Sequence, residues 1–328
     1  MAPGTRTPPR IGIEDEYQLI VGDRPVDARR VLPRLSIWGR PALDPVDPRA
    51  RRTVRNHAVT ADGWELEIAT PPVPADAATS VRVQSGLAAE QTELLSEISM
   101  VLGQPSALHG FSTHVNVSVP LGDETWICEE LVARFGVAVM LLTDLPESPG
   151  IVVRPRHGRV EVCLEFLDAE ARESAITLLT GAVALLLDAA TDASVSVPTA
   201  LDVRVSPGRE RFGHYLDRTC VGSDLHASVR ATRLATAEGL SLTGQDHLEE
   251  VWASTRRYAV ALGLSHARLD SIVYGRLPLR LEMGGSRWAA AARQLRRPPP
   301  SRSPLPSRAS PRSRPVWLIG SCRSWWMG

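Results

Sequence analysis

Ile11-Gly12-Ile13-Glu14-Asp15-Glu16-Tyr17-Gln18-Leu19-Ile20 sets acidic side chains into a stretch that otherwise reads as a buried strand. Alternation along a strand puts Glu14 and Glu16 on one face with Gly12 and Gln18, and Ile11, Ile13, Tyr17 and Leu19 on the other. Two ionised carboxylates at the same-face spacing of roughly 7 Å repel each other. Water or a bound cation is the economical way to keep both charged.

Three further segments are built alike. In Gly63-Trp64-Glu65-Leu66-Glu67-Ile68-Ala69, Glu65 and Glu67 oppose Trp64, Leu66 and Ile68. Along Ser112 to Val119, the residues Ser112, His114, Asn116 and Ser118 oppose Thr113, Val115, Val117 and Val119. Along Arg159 to Phe166, Glu161, Cys163 and Glu165 oppose Val160, Val162, Leu164 and Phe166. Ordinary half-exposed antiparallel strands also alternate, but their outer faces usually mix Thr, Lys and Arg rather than Glu, His, Asn and Ser. Hard oxygen donors with one imidazole suit Mg²⁺ or Mn²⁺ better than Zn²⁺.

The chain has 328 residues, enough for one large α/β domain or one domain with appendages, and a formal net charge of zero. Neither a nucleic-acid partner nor a membrane is expected from that balance. Its four cysteines, Cys128, Cys163, Cys220 and Cys322, show no CxxC spacing, which argues against a disulfide framework or a structural zinc site. Met1 to Arg10 lacks an apolar signal core, and the most apolar run, Ala175 to Leu187, falls short of the ~20 residues that span a bilayer. A cytoplasmic location is the expectation. All 37 Lys and Arg positions are arginine. Without lysine there is no Walker A loop, no kinase strand lysine and no Schiff base. No G-x-S-x-G elbow and no intact G-x-G-x-x-G after a strand occurs either.

In chain order, residues 1–10 read as a disordered N-terminus. Asp23 to Asp62 reads as a loop with short structure, a candidate lid or surface excursion whose Arg49, Arg51, Arg52 and Arg55 are solvated. Helices are expected over Asp76 to Leu102 (Val81, Leu87, Leu94, Leu95 and Ile98 inward, Gly103 ending it), Asp123 to Leu142 (Asp123 as N-cap), Ala169 to Asp192 and Asp246 to Leu264. His57, His109 and His157 are assigned surface or structural duty. Strands with one apolar face between helices predict an α+β sheet covered outside by helices, its polar face lining a cavity. The alternation excludes a TIM barrel, whose strands are apolar throughout. Residues 11–292 form the expected domain. From 293 to 328 Pro, Ser and Arg dominate, with Trp317, Trp325 and Trp326 in no periodic pattern, and this tail reads as disordered.

Ile11-Gly12-Ile13-Glu14-Asp15-Glu16-Tyr17, Glu65-Leu66-Glu67-Ile68-Ala69-Thr70-Pro71-Pro72 and His114-Val115-Asn116-Val117 together resemble the carboxylate-amine ligases of the glutamate-cysteine ligase type 2 group, in the glutamine synthetase-like superfamily. The resemblance covers roughly residues 10 to 190. Ser286 to Ala291 faintly resembles a C-terminal helix of the group. It implies an antiparallel sheet forming an open funnel, with ATP at one end, the acceptor acid at the other, Mg²⁺ between them, and a homodimer as the assembly. Carried over, Glu14 and Glu16 would ligate separate ions, Glu67 with Glu65 nearby would share one, and His114 would complete another. Glu161 would be the late ligand, with Glu165 its rival; Asn116 and Ser118 would contact the nucleotide. The group places an arginine two residues after the late Glu, where this chain has Cys163. The task of stabilising the transferring phosphoryl group then passes to Arg154, Arg156 or Arg159.

That resemblance implies an ATP-dependent ligase joining small-molecule amino acids and amines through an acyl phosphate, with glutamate plus cysteine as the group's default. The alternatives are a metal-dependent amide hydrolase on the same fold, and a non-catalytic nucleotide-binding relative.

Overall fold

A computed structural model describes residues 8–36, 38–42 (backbone only), 50–206 and 213–283. The expected N-terminal segment before residue 8, the 293–328 tail, the Ser286 to Ala291 motif and Arg49 lie outside the described residues.

The opening stretch forms β1 (Arg10–Val21) at the middle of one large sheet. The other members are β2 (Arg24–Val26), β3 (Trp38–Ala42), β4 (Arg51–Thr53), β5 (Ala58–Asp62), β6 (Glu65–Ala69), β7 (Val73–Pro74), β8 (Ser106–Ser118), β9 (Gly150–Arg156), β10 (Arg159–Glu165) and β11 (His214–Asp217). The order is β11-β9-β10-β8-β1-β6-β5-β4-β3, with β2 and β7 also pairing β1, and every pairing is antiparallel. The 23–62 stretch therefore prolongs the sheet rather than forming only a loop. The two-residue turn Gly63-Trp64 explains how: Gly63, at φ +58° in its first position, carries β5 back into β6, as a glycine-first hairpin turn requires.

The helices are α1 (Thr79–Leu102), α2 (Glu124–Arg134), α3 (Gly136–Thr143), α4 (Ala169–Ala189), α5 (Leu225–Ser228), α6 (Gly244–Ala261) and α7 (Ala267–Val273). Ile11, Ile13, Leu19, Leu66, Ile68, Val115, Val117, Val160 and Val162 are fully buried on the helix-facing side, against Val83, Leu87, Leu94 and Ile98 of α1 and the apolar side of α4. Each such side chain contributes about 1.5–3 kcal/mol on burial. The expected α+β sheet with helices on its apolar face is what forms.

Four helix details differ from expectation. Val81 is exposed, because the buried stripe of α1 runs through Val83, Leu87, Leu94 and Ile98. The helix expected over Asp123 to Leu142 breaks at Phe135, whose φ of −123° leaves the helical range, and Gly136 then passes against β11, where a Cβ would stand 2.3 Å from Leu216 Cδ1. Asp123 makes no side-chain cap bond. Helix α6 starts earlier than expected, at Gly244, because Asp246 is the third residue of a capping box: its carboxylate accepts from Thr243 N at 2.9 Å, and Thr243 Oγ1 accepts from Asp246 N at 3.1 Å.

Candidate active site

Register turns the alternation into rows across the sheet. Glu16 lies between Ser112 and Glu67, and the row continues to Glu165 and Thr60 at its two ends. One step along, Glu14 lies beside His114, and His114 beside Cys163. A further step pairs Asn116 with Glu161 and Glu161 with Arg154, and beyond it Arg159 pairs with Ser118 and Arg156. Seven acids, Glu14, Glu16, Asp62, Glu65, Glu67, Glu161 and Glu165, thus occur on the same sheet face as three arginines at one corner.

His114 is the centre of the arrangement. Its Nδ1 lies 3.4 Å from Glu14 Oε2 and 3.7 Å from Glu161 Oε1, and its Nε2 lies 3.7 Å from Glu16 Oε1. Nδ1 is buried and makes no well-directed hydrogen bond. Burial opposes ionisation of this ring, but Cys163, Glu14 and Glu16 outweigh it and raise its pKa well above the usual histidine value. Glu16 accepts from Ser112 Oγ at 2.5 Å; burial raises its pKa despite His114 and Ser112. Glu67 is raised further, by burial and then by repulsion from Glu14 and Glu16. Glu161 goes the other way: His114, Arg156 and Arg154 overcome burial and hold it at about 2. Arg156 Nε donates to Glu161 Oε2 at 2.9 Å, and Arg154 Nη1 stands 3.5 Å from the same oxygen.

Two groups bring ligand atoms within 4.8 Å of one another: Glu16, Asp62 and Glu67 in one, His114, Glu161 and Cys163 in the other. The raised pKa values of Glu16 and Glu67 in the first group, and the buried, poorly bonded His114 Nδ1 in the second, fit a face that a divalent cation would neutralise. Glu65 falls outside both groups; its Oε2 accepts from Trp64 N at 3.0 Å, within its own hairpin. Glu165, at the end of the Glu16 row, is also outside both. Asn116 spends both ends of its amide inside the site: Nδ2 donates to Glu14 at 3.1 Å, and Oδ1 accepts from Arg159 Nε at 2.7 Å. Ser118 Oγ accepts from Arg10 N at 2.8 Å, at the start of β1. Burial opposes ionisation of Arg154, but Cys163 and Glu161 outweigh it and raise its pKa, so this cation lies near both.

Two contributors were missed in the sequence. Asp62 falls in the stretch that reads as a loop; the turn at Gly63-Trp64 makes it the last residue of β5 and puts it opposite Glu65. Asp15 points away from the site, into the helix layer, fully buried. Arg172 Nη2 of α4 donates to its Oδ2 at 2.6 Å, Thr113 Oγ1 donates to its Oδ1 at 2.8 Å, and Tyr17 Oη donates to Oδ2 at 2.8 Å. Burial raises the Asp15 pKa and these three partners oppose it. The cluster anchors β1 from beneath. Arg172 Nη2 also donates to Leu167 O at 2.8 Å, and the Tyr17 ring meets Phe166 edge-on at 5.4 Å. Gly110 leaves room for that ring, since a Cβ there would fall 2.2 Å from it. His57 is structural as expected, buried beside Glu90, with Nδ1 3.4 Å from Glu90 Oε2.

No family model matches this sequence. No curated protein matches it. Among solved structures, it is similar to the complex between prokaryotic ubiquitin-like protein Pup and its ligase PafA, at TM-score 0.42 and 14% identity over 82% of this chain and 65% of that one. It is also similar to the Pup ligase PafA in complex with ADP, at TM-score 0.43 and 10% identity over 75% of this chain and 64% of that one. The chain spans a little under two thirds of the length of either. Among the described residues, no helix is long and apolar enough to cross a membrane.

Proposed function

We propose that this protein is an ATP-dependent carboxylate-amine ligase that makes an amide bond through an acyl phosphate, with glutamate-cysteine ligase-like chemistry as its finer form. The observation that carries the reading is the buried acidic face, Glu14, Glu16, Glu67 and Glu161 around His114, with arginines at one corner. A carboxylate is a poor electrophile. An acceptor carboxylate oxygen attacks the γ-phosphorus of ATP, the bond to the β-bridging oxygen breaks, and ADP leaves. An amine then attacks the acyl carbon, phosphate departs, and the amine gives up a proton.

Glu14, Glu16, Glu67, His114 and Glu161 would hold divalent cations, and Mg²⁺ or Mn²⁺ on the all-oxygen side, at Glu16 and Glu67, would neutralise the phosphate oxygens. Arg154 and Arg156, half-buried and in contact with Glu161, would stabilise charge that develops on the transferring group. Arg159 is held by Asn116, which also orients Glu14. Ser112 fixes the rotamer of Glu16. The acid and amine are small molecules on this reading, and no nucleic acid takes part.

Purified protein with MgATP and a panel of amino acids and amines should release ADP only when both an acid and an amine are present. Glu16→Gln and His114→Ala should each reduce that release by at least about a hundredfold, the scale of losing one preorganised electrostatic group. Turnover of an amide without ATP consumption would replace the ligase reading with a hydrolase. Nucleotide binding without release would replace it with a regulatory relative.

A further inference from the structure

The two ligand groups on this face differ in chemistry. Glu16, Asp62 and Glu67 offer only oxygen, whereas His114, Glu161 and Cys163 offer nitrogen, oxygen and sulfur. We propose that the second group is a thiophilic cation site, taking Zn²⁺ or Co²⁺ in preference to Mg²⁺. The proposal rests on the reading of this face as cation-binding.

Four observations converge on it. His114 Nδ1 is buried without a well-directed hydrogen bond and faces the group. Cys163 is the direct cross-strand neighbour of His114 on the polar face, and it is partly exposed while Cys128 and Cys220 are buried. Glu161 divides its oxygens, with Oε2 held by Arg156 and Arg154 and Oε1 turned toward His114 Nδ1 at 3.7 Å. Glu14 Oε2, at 3.4 Å from the same nitrogen, adds a fourth donor. Zn–S and Zn–N bonds of about 2.3 and 2.0 Å put tetrahedral ligand atoms ~3.5 Å apart, close to these separations. The arginines fix the Glu161 carboxylate from outside, the part that outer partners play at metal sites. A single thiolate moves the preference from hard cations toward borderline ones, and the Irving–Williams order adds to it. Ligation requires the thiolate and the neutral imidazole, so binding releases one proton from Cys163 and one from the His114 ring, both to solvent.

The test uses nucleotide-free, full-length protein and Co²⁺ as probe. Co²⁺ should produce a near-ultraviolet sulfur-to-metal charge-transfer band that Zn²⁺ displaces. Cys163→Ser should lose the band and bind Zn²⁺ at least about tenfold more weakly, the loss that even an outer partner's removal brings. Glu67→Gln, in the all-oxygen group, should keep the band. In the unsubstituted protein, Zn²⁺ should slow iodoacetamide alkylation of the Cys163 peptide, read by mass spectrometry. Co²⁺ binding without a sulfur band, or alkylation of Cys163 unchanged by Zn²⁺, overturns the proposal. Loss of ADP release with the band intact would count against the ligase reading alone.

Discussion

At the scale of single residues, the charged groups that matter are those the apolar layers cannot solvate. His247 on α6 is fully buried, and neither ring nitrogen has a partner. Burial pushes its pKa down to about 4, with Glu250 opposing. The folded state then binds fewer protons than the unfolded state between about pH 6.5 and 4, so stability is present above that window and lost as pH falls through it. The loss should approach about 3 kcal/mol, at about 1.4 kcal/mol per unit. Urea unfolding of His247→Leu at pH 7.5 and 4.5 should show a markedly smaller fall than the parent chain. Glu14 and Glu16 could be identified in the sequence because alternation alone assigns their face. Asp15 was overlooked although a lone acid among Ile13, Tyr17 and Leu19 is itself a signal of a buried pair; its partner, Arg172, lies 157 positions away and belongs to no local pattern.

At the scale of elements, the Asp15–Arg172 pair is the polar clamp between β1 and α4. Arg172→Met removes the cation and strands a buried carboxylate, which should cost about 3–5 kcal/mol. Asp15→Leu in the same chain should recover most of that loss, because a buried pair replaced by apolar groups is close to neutral. Denaturant midpoints of both single variants and the double variant close the cycle. Strand identities were legible because each acidic strand carries its own two-residue period. The break between α2 and α3 was not, since the apolar run through Phe135 and Met140 reads as one helix, and the approach of Leu216 to Gly136 is a contact with a distant strand. The β5 strand is hidden for a different reason: the turn residues around it read as loop.

At the scale of the whole molecule, the sheet divides into an apolar face under helices and an acidic face whose charges repel. Burial and mutual repulsion raise Glu16 and Glu67, so a cation that relieves them should stabilise the fold. Saturating Mg²⁺ at about a hundred times its dissociation constant should add about 2.7 kcal/mol. The melting temperature should rise with Mg²⁺, return with EDTA, and respond less at pH 5 than at pH 7.5, because protonated carboxylates no longer recruit the ion. A melting temperature indifferent to Mg²⁺ at both values would remove the cation from this face. The site's outline was legible because four strands repeat one pattern, while Asp62 and the pairing of Cys163 with His114 needed the register between strands.

β1 carries indispensable charge on both sides: Glu14 and Glu16 above, Asp15 below. Sliding the strand by one position would send two carboxylates into the hydrocarbon layer and expose the isoleucines. The strand therefore tolerates changes of side chain far better than changes of length. A one-residue insertion or deletion between Gly12 and Tyr17 turns the later charges to the wrong face unless a bulge takes it up, as the pairing with β8 already does between Glu16 and Tyr17.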